Sequence, residues 1–147
     1  MTTLREISAI VTGVAALGAL GVVTAGTADA ASMPCSSQAK ACVQLSAGKV
    51  WLADHGKVTY GAVPATVGTP GYPTPKGRFH VQYKDIDHYS KQYHGPMPYS
   101  VFFTTTGVAF HEGSLRVQSH GCVHLSHAAA VKVYQTLRPG DVVEVVP

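Results

Sequence analysis

The stretch FHEGSLRVQSHGCVHLSH, Phe110 to His127, gathers four of the chain's eight histidines around Cys122, one of its three cysteines. A free thiol is only slightly ionised at neutral pH, so a cysteine that acts as a nucleophile needs an imidazole within hydrogen-bond reach. Side chains repeat every two residues in an extended backbone, which would set His120, Cys122 and His124 on one side. His111, ending the β-favouring run GVAFH, is a candidate base from a neighbouring strand. Gly121 removes a side chain where a carbonyl group would have to approach backbone N–H groups. A helix starting near Ser126 or His127 would add N–H groups that favour a nearby thiolate. These parts would suffice for acyl transfer through a thioester. Two other readings stay open. His111, His120, Cys122, His124 and His127 could ligate zinc, although their spacing matches none of the usual finger patterns. Cys122 could equally be an inert buried thiol among surface histidines.

The elements that must position this cluster read as mainly β. VQL, KVWLA, KVTYGAV and RFHVQY, between Val43 and Tyr83, are short β-favouring runs, with DHG (Asp54 to Gly56) as a turn between two of them. GTPGYPTPKG, Gly68 to Gly77, has three prolines and three glycines in ten residues and must be a surface loop. Tyr83 to Tyr99 mixes charges, tyrosines and histidines without a period and reads as a long loop, either a plain exposed one or a flap over a substrate. SVFF (Ser100 to Phe103) and GVAFH (Gly107 to His111) resume strand character. One helix is signalled: Ser126 as cap, Ala129, Val133 and Leu137 at four-residue spacing, and Arg138-Pro139-Gly140 as the stop. VVEVV, Val142 to Val146, closes as a strand.

The first thirty residues have the grammar of an export signal. Arg5 precedes an uncharged run from Ile7 to Ala28, and Ala28-Asp29-Ala30 supplies small residues at the cleavage positions. The run is also long enough to serve as an uncleaved anchor. No twin-arginine pair is present, and Ser32-Met33-Pro34 before Cys35 is not a lipoprotein box. Loss of Arg5, Glu6 and Asp29 with the leader takes the formal charge from +3 to +4. No basic run accompanies that charge, so nucleic acid is not an expected partner. Residues 31–147 suit one domain with a single core. In an oxidising compartment Cys35 and Cys42 could pair within a short segment, residues 31–42, leaving Cys122 as the odd thiol.

FHEGSLRVQSHGCVHL resembles the signature of the L,D-transpeptidase (YkuD-like) family of bacterial cell-wall enzymes, through His111, Ser119, His120, Gly121, Cys122 and Val123. GTPGYPTPKGRF is similar to the family's TP-x-G-x-F segment through Thr74, Pro75, Gly77 and Phe79, and Met97-Pro98-Tyr99 to its substrate-side MP turn. The resemblance covers roughly residues 43–147. It implies an L,D-transpeptidase-type β-sandwich with one principal helix after the cysteine motif. It further implies Cys122 as nucleophile, His111 as base, and His120 beside the thiolate. A main-chain carbonyl at Glu112 or Gly113 would orient the base, Ser119 and Gly121 would shape the oxyanion site, and Met97, Tyr99 and His124 would contact substrate. The substrates implied are peptidoglycan stem peptides, a tetrapeptide donor and an acceptor amine, joined in 3,3 cross-links by a secreted or envelope monomer. No metal or organic cofactor is implied, and a membrane is involved only if the leader is retained. Water as acceptor would make an L,D-carboxypeptidase instead; loss of catalysis would leave an envelope- or metal-binding module. The chain departs from the family pattern at His124, usually Arg or Asn, at Glu112, often a small residue, and in the short loop from His111 to Ser119.

Overall fold

A computed structural model describes residues 32–147; the leader expected over residues 1–30 lies outside the described residues. Among the described residues, nine strands and one helix follow in order: β1 (Ala41–Gln44), β2 (Lys49–Asp54), β3 (Lys57–Pro64), β4 (Gly77–His80), β5 (Tyr83–Ser90), β6 (Gly95–Phe102), β7 (Ala109–Glu112), β8 (Val123–Leu125), α1 (His127–Thr136) and β9 (Val142–Val146). They form a five-stranded sheet, β3-β2-β1-β9-β4, and a four-stranded sheet, β5-β6-β7-β8. Among the described residues, no helix is long and apolar enough to cross a membrane.

The two sheets share one core. Val43, Leu52, Val143 and Val145 from the first meet Val101, Phe110, Val123 and Leu125 from the second, with Phe103 between. β9 shows how alternation directs this, since Val143 and Val145 are buried while Val142, Glu144 and Val146 are only partly so. α1 packs on β6, β7 and β8 through Ala129, Ala130 and Val133. Its start is capped as the sequence predicts, with Ser126 Oγ accepting from the Ala129 N–H at 3.2 Å. The helix stops at Thr136, two residues before Arg138, and Leu137 turns into the core as its C-terminal cap. The Asp54-to-Gly56 turn is a two-residue hairpin loop in which His55 and Gly56 both take positive φ, the geometry that matches strand twist.

Three expectations change. The segment from Tyr83 to Tyr99 is not a loop. β5 and β6 pair as a hairpin from Tyr83 opposite Phe102 to Ser90 opposite Gly95, so SVFF is only the end of a longer strand. β5 is solvated over much of both faces and leaves no apolar period to read, although its ladder needs none. RFHVQY is also not one strand. β4 ends at His80 in the first sheet and β5 begins at Tyr83 in the second, so Val81 and Gln82 carry the chain between layers. Finally, Ala41 and Cys42 belong to the central strand β1 rather than to a separate leading segment. Cys35 and Cys42 are disulfide-bonded, with Cα atoms 5.8 Å apart, and Ser36 Oγ and its N–H donate to the Glu144 carboxylate on β9. The bridge therefore ties the start of the described chain to the middle of a sheet.

The far end of α1 is held by the hairpin. Lys84 Nζ on β5 donates to the carbonyls of Tyr134 (2.6 Å) and Leu137 (3.0 Å), and sits 4.4 Å from the centre of the Tyr134 ring. A cation is well placed where terminal helix carbonyls lack intrahelical partners. Lys84→Met keeps the apolar stem and removes the donors, and is expected to cost about 1 to 2 kcal/mol. A denaturant midpoint equal to wild type would show that this contact contributes nothing.

Candidate active site

Cys122 sits at the entry to β8 in a turn built by hydroxyl groups. The Gly121 N–H donates to Ser119 Oγ (3.0 Å), and that hydroxyl donates in turn to the Cys122 carbonyl (2.5 Å). Gly121 has φ +122, a conformation that favours glycine, so the extended alternation assumed for residues 120–124 does not run through it. The loop from Gly68 to Gly77 supports this turn from outside. Thr74 Oγ1, buried, donates to the Gly121 carbonyl (2.8 Å) and accepts from the Gly68 N–H (2.9 Å). Ser119 also exchanges backbone hydrogen bonds with the approach to that loop, its N–H donating to the Val67 carbonyl and its carbonyl accepting from the Thr69 N–H, both at 3.0 Å.

His111 lies on β7, which pairs in parallel with β8 so that His111 is opposite His124. His111 is 6% exposed, and its Nδ1 is 2.7 Å from the Glu112 carbonyl. A carbonyl only accepts, so Nδ1 carries the proton and Nε2 is left as the basic nitrogen. Of the two orienting positions expected, Glu112 supplies this bond through its backbone. Its carboxylate turns away to His127 Nδ1 at 2.8 Å. Gly113 instead backs the His124 ring: a Cβ there would lie 2.7 Å from Cγ and Cδ2 of that ring.

His111, Ser119, His120, Cys122, His124 and Met97 line one cavity of about 190 Å3. Cys122 Sγ is directed at the Gly107 carbonyl (3.9 Å), and no hydrogen bond among the described residues joins it to the His111 ring. Burial pushes the Cys122 thiol up, outweighing a hydrogen bond from the Ala109 backbone. Burial also lowers His111, to about 4, against the raising effect of the Glu112 carbonyl and with smaller contributions from His124 and His88. The resting pair is therefore a neutral thiol and a neutral imidazole. The helix does not offset this. β8 intervenes, so Ser126 follows Cys122 by four extended steps, about 13 Å.

The remaining expected residues divide. His120 points out to the cavity mouth, stacked on Tyr93 (4.6 Å between ring centres, 16° between planes) and edge-on to Tyr72 (4.9 Å). His124 packs against His111, ring centres 4.8 Å apart. Tyr99 does not reach the cavity. Its φ of +56 reverses the strand's alternation, Ser100 Oγ closes the kink onto the Met97 carbonyl (2.7 Å), and the Tyr99 ring packs against Tyr134 and His127 beside α1. Gly121 is not a free oxyanion donor, because its N–H is taken by Ser119. Among the described residues, no three His, Cys, Asp or Glu side chains converge as a metal-ligand set. Sequence reasoning missed Tyr93, which is brought to the cavity by the unforeseen hairpin, and the bracing role of Thr74.

No curated protein matches the chain. Solved structures do. An L,D-transpeptidase (Yku) from Stackebrandtia nassauensis is similar at 30% identity over 73% of this chain and 54% of its own, with TM-score 0.69. L,D-transpeptidase 1 of Mycobacterium tuberculosis is 28% identical over 73% of this chain and 60% of its own (TM-score 0.63). An L,D-transpeptidase from Mycobacterium smegmatis is 25% identical over 73% and 58% (TM-score 0.67). The chain thus spans between 54% and 60% of the length of these proteins. The model of the YkuD L,D-transpeptidase catalytic domain matches residues 38–145, and with it the chain belongs to the L,D-transpeptidase catalytic domain family.

Proposed function

We propose that this protein is exported and acts as a peptidoglycan L,D-transpeptidase, with Cys122 as nucleophile and His111 as base. The observation that carries the reading is a basic Nε2, fixed by the Nδ1 bond to Glu112, in the same small cavity as the chain's one free thiol among the described residues. The thiol proton passes to His111 Nε2 as Sγ attacks the carbonyl between the diamino acid and the terminal D-alanine of a tetrapeptide stem. With the Gly121 N–H occupied, the backbone N–H groups of His120 and Cys122 are the candidates to face the oxyanion. The imidazolium then returns its proton to the departing D-alanine amine, leaving a thioester. A side-chain amine of a second stem gives its proton to His111, attacks the thioester and restores the thiol, forming a 3,3 cross-link. Because both groups start neutral, no charge has to be held in the cavity before substrate binds.

Purified protein incubated with tetrapeptide donor should gain the mass of the acyl group at Cys122 and release D-alanine, while Cys122→Ala gains none. With an acceptor stem present, a cross-linked dimer is expected. Trimmed monomer alone would refute transpeptidation and leave a carboxypeptidase.

A further inference from the structure

The family position two residues after the cysteine is His124 here, and its surroundings give it a different task from holding substrate. We infer that His124 is a positioning residue for His111: its ring, clamped by Gly113 and the loop that follows, braces the ring of the base and fixes where Nε2 points. The inference rests on the acyl-transfer reading of His111.

Five observations converge on it. His111 and His124 are directly opposed on the parallel strands β7 and β8, where facing side chains interact pairwise. Their ring centres are 4.8 Å apart with planes at 72°, an edge-to-face contact. His124 Nδ1 donates to the Ser114 carbonyl at 3.1 Å, and Thr66 Oγ1 donates to the same oxygen. The His124 backbone is pinned as well, exchanging hydrogen bonds with Thr66 in both directions (2.8 and 3.1 Å). Gly113 completes the clamp, since a methyl group there would overlap the His124 ring. A single Nδ1 bond leaves a histidine ring a broad range about χ2. The facing ring removes that range.

The brace also keeps water off the base. The titratable groups around His111 are His124 on β8, His88 on β5, Cys122 and His120 lining the shared cavity, and Glu112 with its partner His127 toward α1. Removing the His124 ring exposes His111, so its titration should climb from about 4 toward the ordinary histidine value.

The test compares His124→Ala and His124→Phe with wild type in two readouts, the pH dependence of Cys122 acylation and an NMR titration of the His111 ring. His124→Ala is expected to slow acylation ~10- to 100-fold, the penalty of a misplaced reacting group, and to move the acid limb upward. His124→Phe, which keeps a ring against His111, should restore most of the rate and the low acid limb. Wild-type rate and acid limb in His124→Ala would overturn the inference. So would slow acylation in which Phe is no better than Ala and the limb stays near 4, because His124 would then act on substrate. Should wild type form no adduct at all, the acyl-transfer reading fails, and the NMR titration alone decides whether the brace exists.

Discussion

His111→Gln is expected to lower the rate of Cys122 acylation, by tetrapeptide donor or by a carbapenem, about 1,000-fold, within the range that a positioned general base supplies. The same substitution should leave the pH profile of Cys122 alkylation by a small neutral reagent nearly unchanged. The two halves follow from the resting state. Burial holds the thiol above its ordinary range and the imidazole down to about 4, so the free protein has no thiolate for His111 to stabilise. On the proposed acyl-transfer reading, the base matters only once a carbonyl arrives. The sign of the pH dependence follows. Acylation rises with pH through about 4 as His111 becomes neutral, and stays level while the thiol keeps its proton and the imidazole can receive it. A wild-type alkylation profile with a thiolate plateau below pH 7, abolished in His111→Gln, would show a standing ion pair and sink the neutral-pair account.

What could be read in advance depended on whether a feature is local. The helix was legible because a cap, a four-residue apolar spacing and a Pro-Gly stop all lie within the segment. β9 was legible because four of the five residues of VVEVV are β-branched valines. The β5–β6 hairpin was not, since a strand solvated over much of both faces carries no apolar period and is held by hydrogen bonds to its partner. That omission hid Tyr93 and with it the aromatic stack on His120. At the site, residue types and order were enough to nominate His111 and Cys122, but their protonation was not. The charge on a thiol depends on burial and on which groups point at it, and in this fold the sulfur is aimed at the Gly107 carbonyl rather than at the imidazole. Tyr99 failed for a similar reason. Alternation would place it with Met97, and a single residue at φ +56 turns it away.

Gly68→Ala is expected to be the most damaging small substitution outside the reacting pair. An ideal Cβ there would lie 2.0 Å from the Tyr72 carbonyl oxygen, 2.8 Å from the Thr74 nitrogen and 3.0 Å from Gly121 Cα, all of them backbone atoms. No side-chain rotation relieves the overlap, so either the Gly68–Gly77 loop lifts or the turn carrying Cys122 shifts. Such overpacking costs about 1 to 3 kcal/mol, and a displacement near 1 Å at a reacting atom costs about 100-fold in rate. Thr74→Val probes the same junction without added bulk. It leaves the Gly121 carbonyl and the Gly68 N–H without their hydroxyl partner, each worth about 1 to 3 kcal/mol if it stays dry. Thr74→Ser keeps the hydroxyl and should behave nearly as wild type, which separates the hydrogen bonds from the methyl's packing. Thermal unfolding and acylation should therefore fall together in Gly68→Ala and Thr74→Val. If Gly68→Ala keeps both the melting temperature and the rate, the loop is not a buttress, and the placement of the thiol must come from β8 alone.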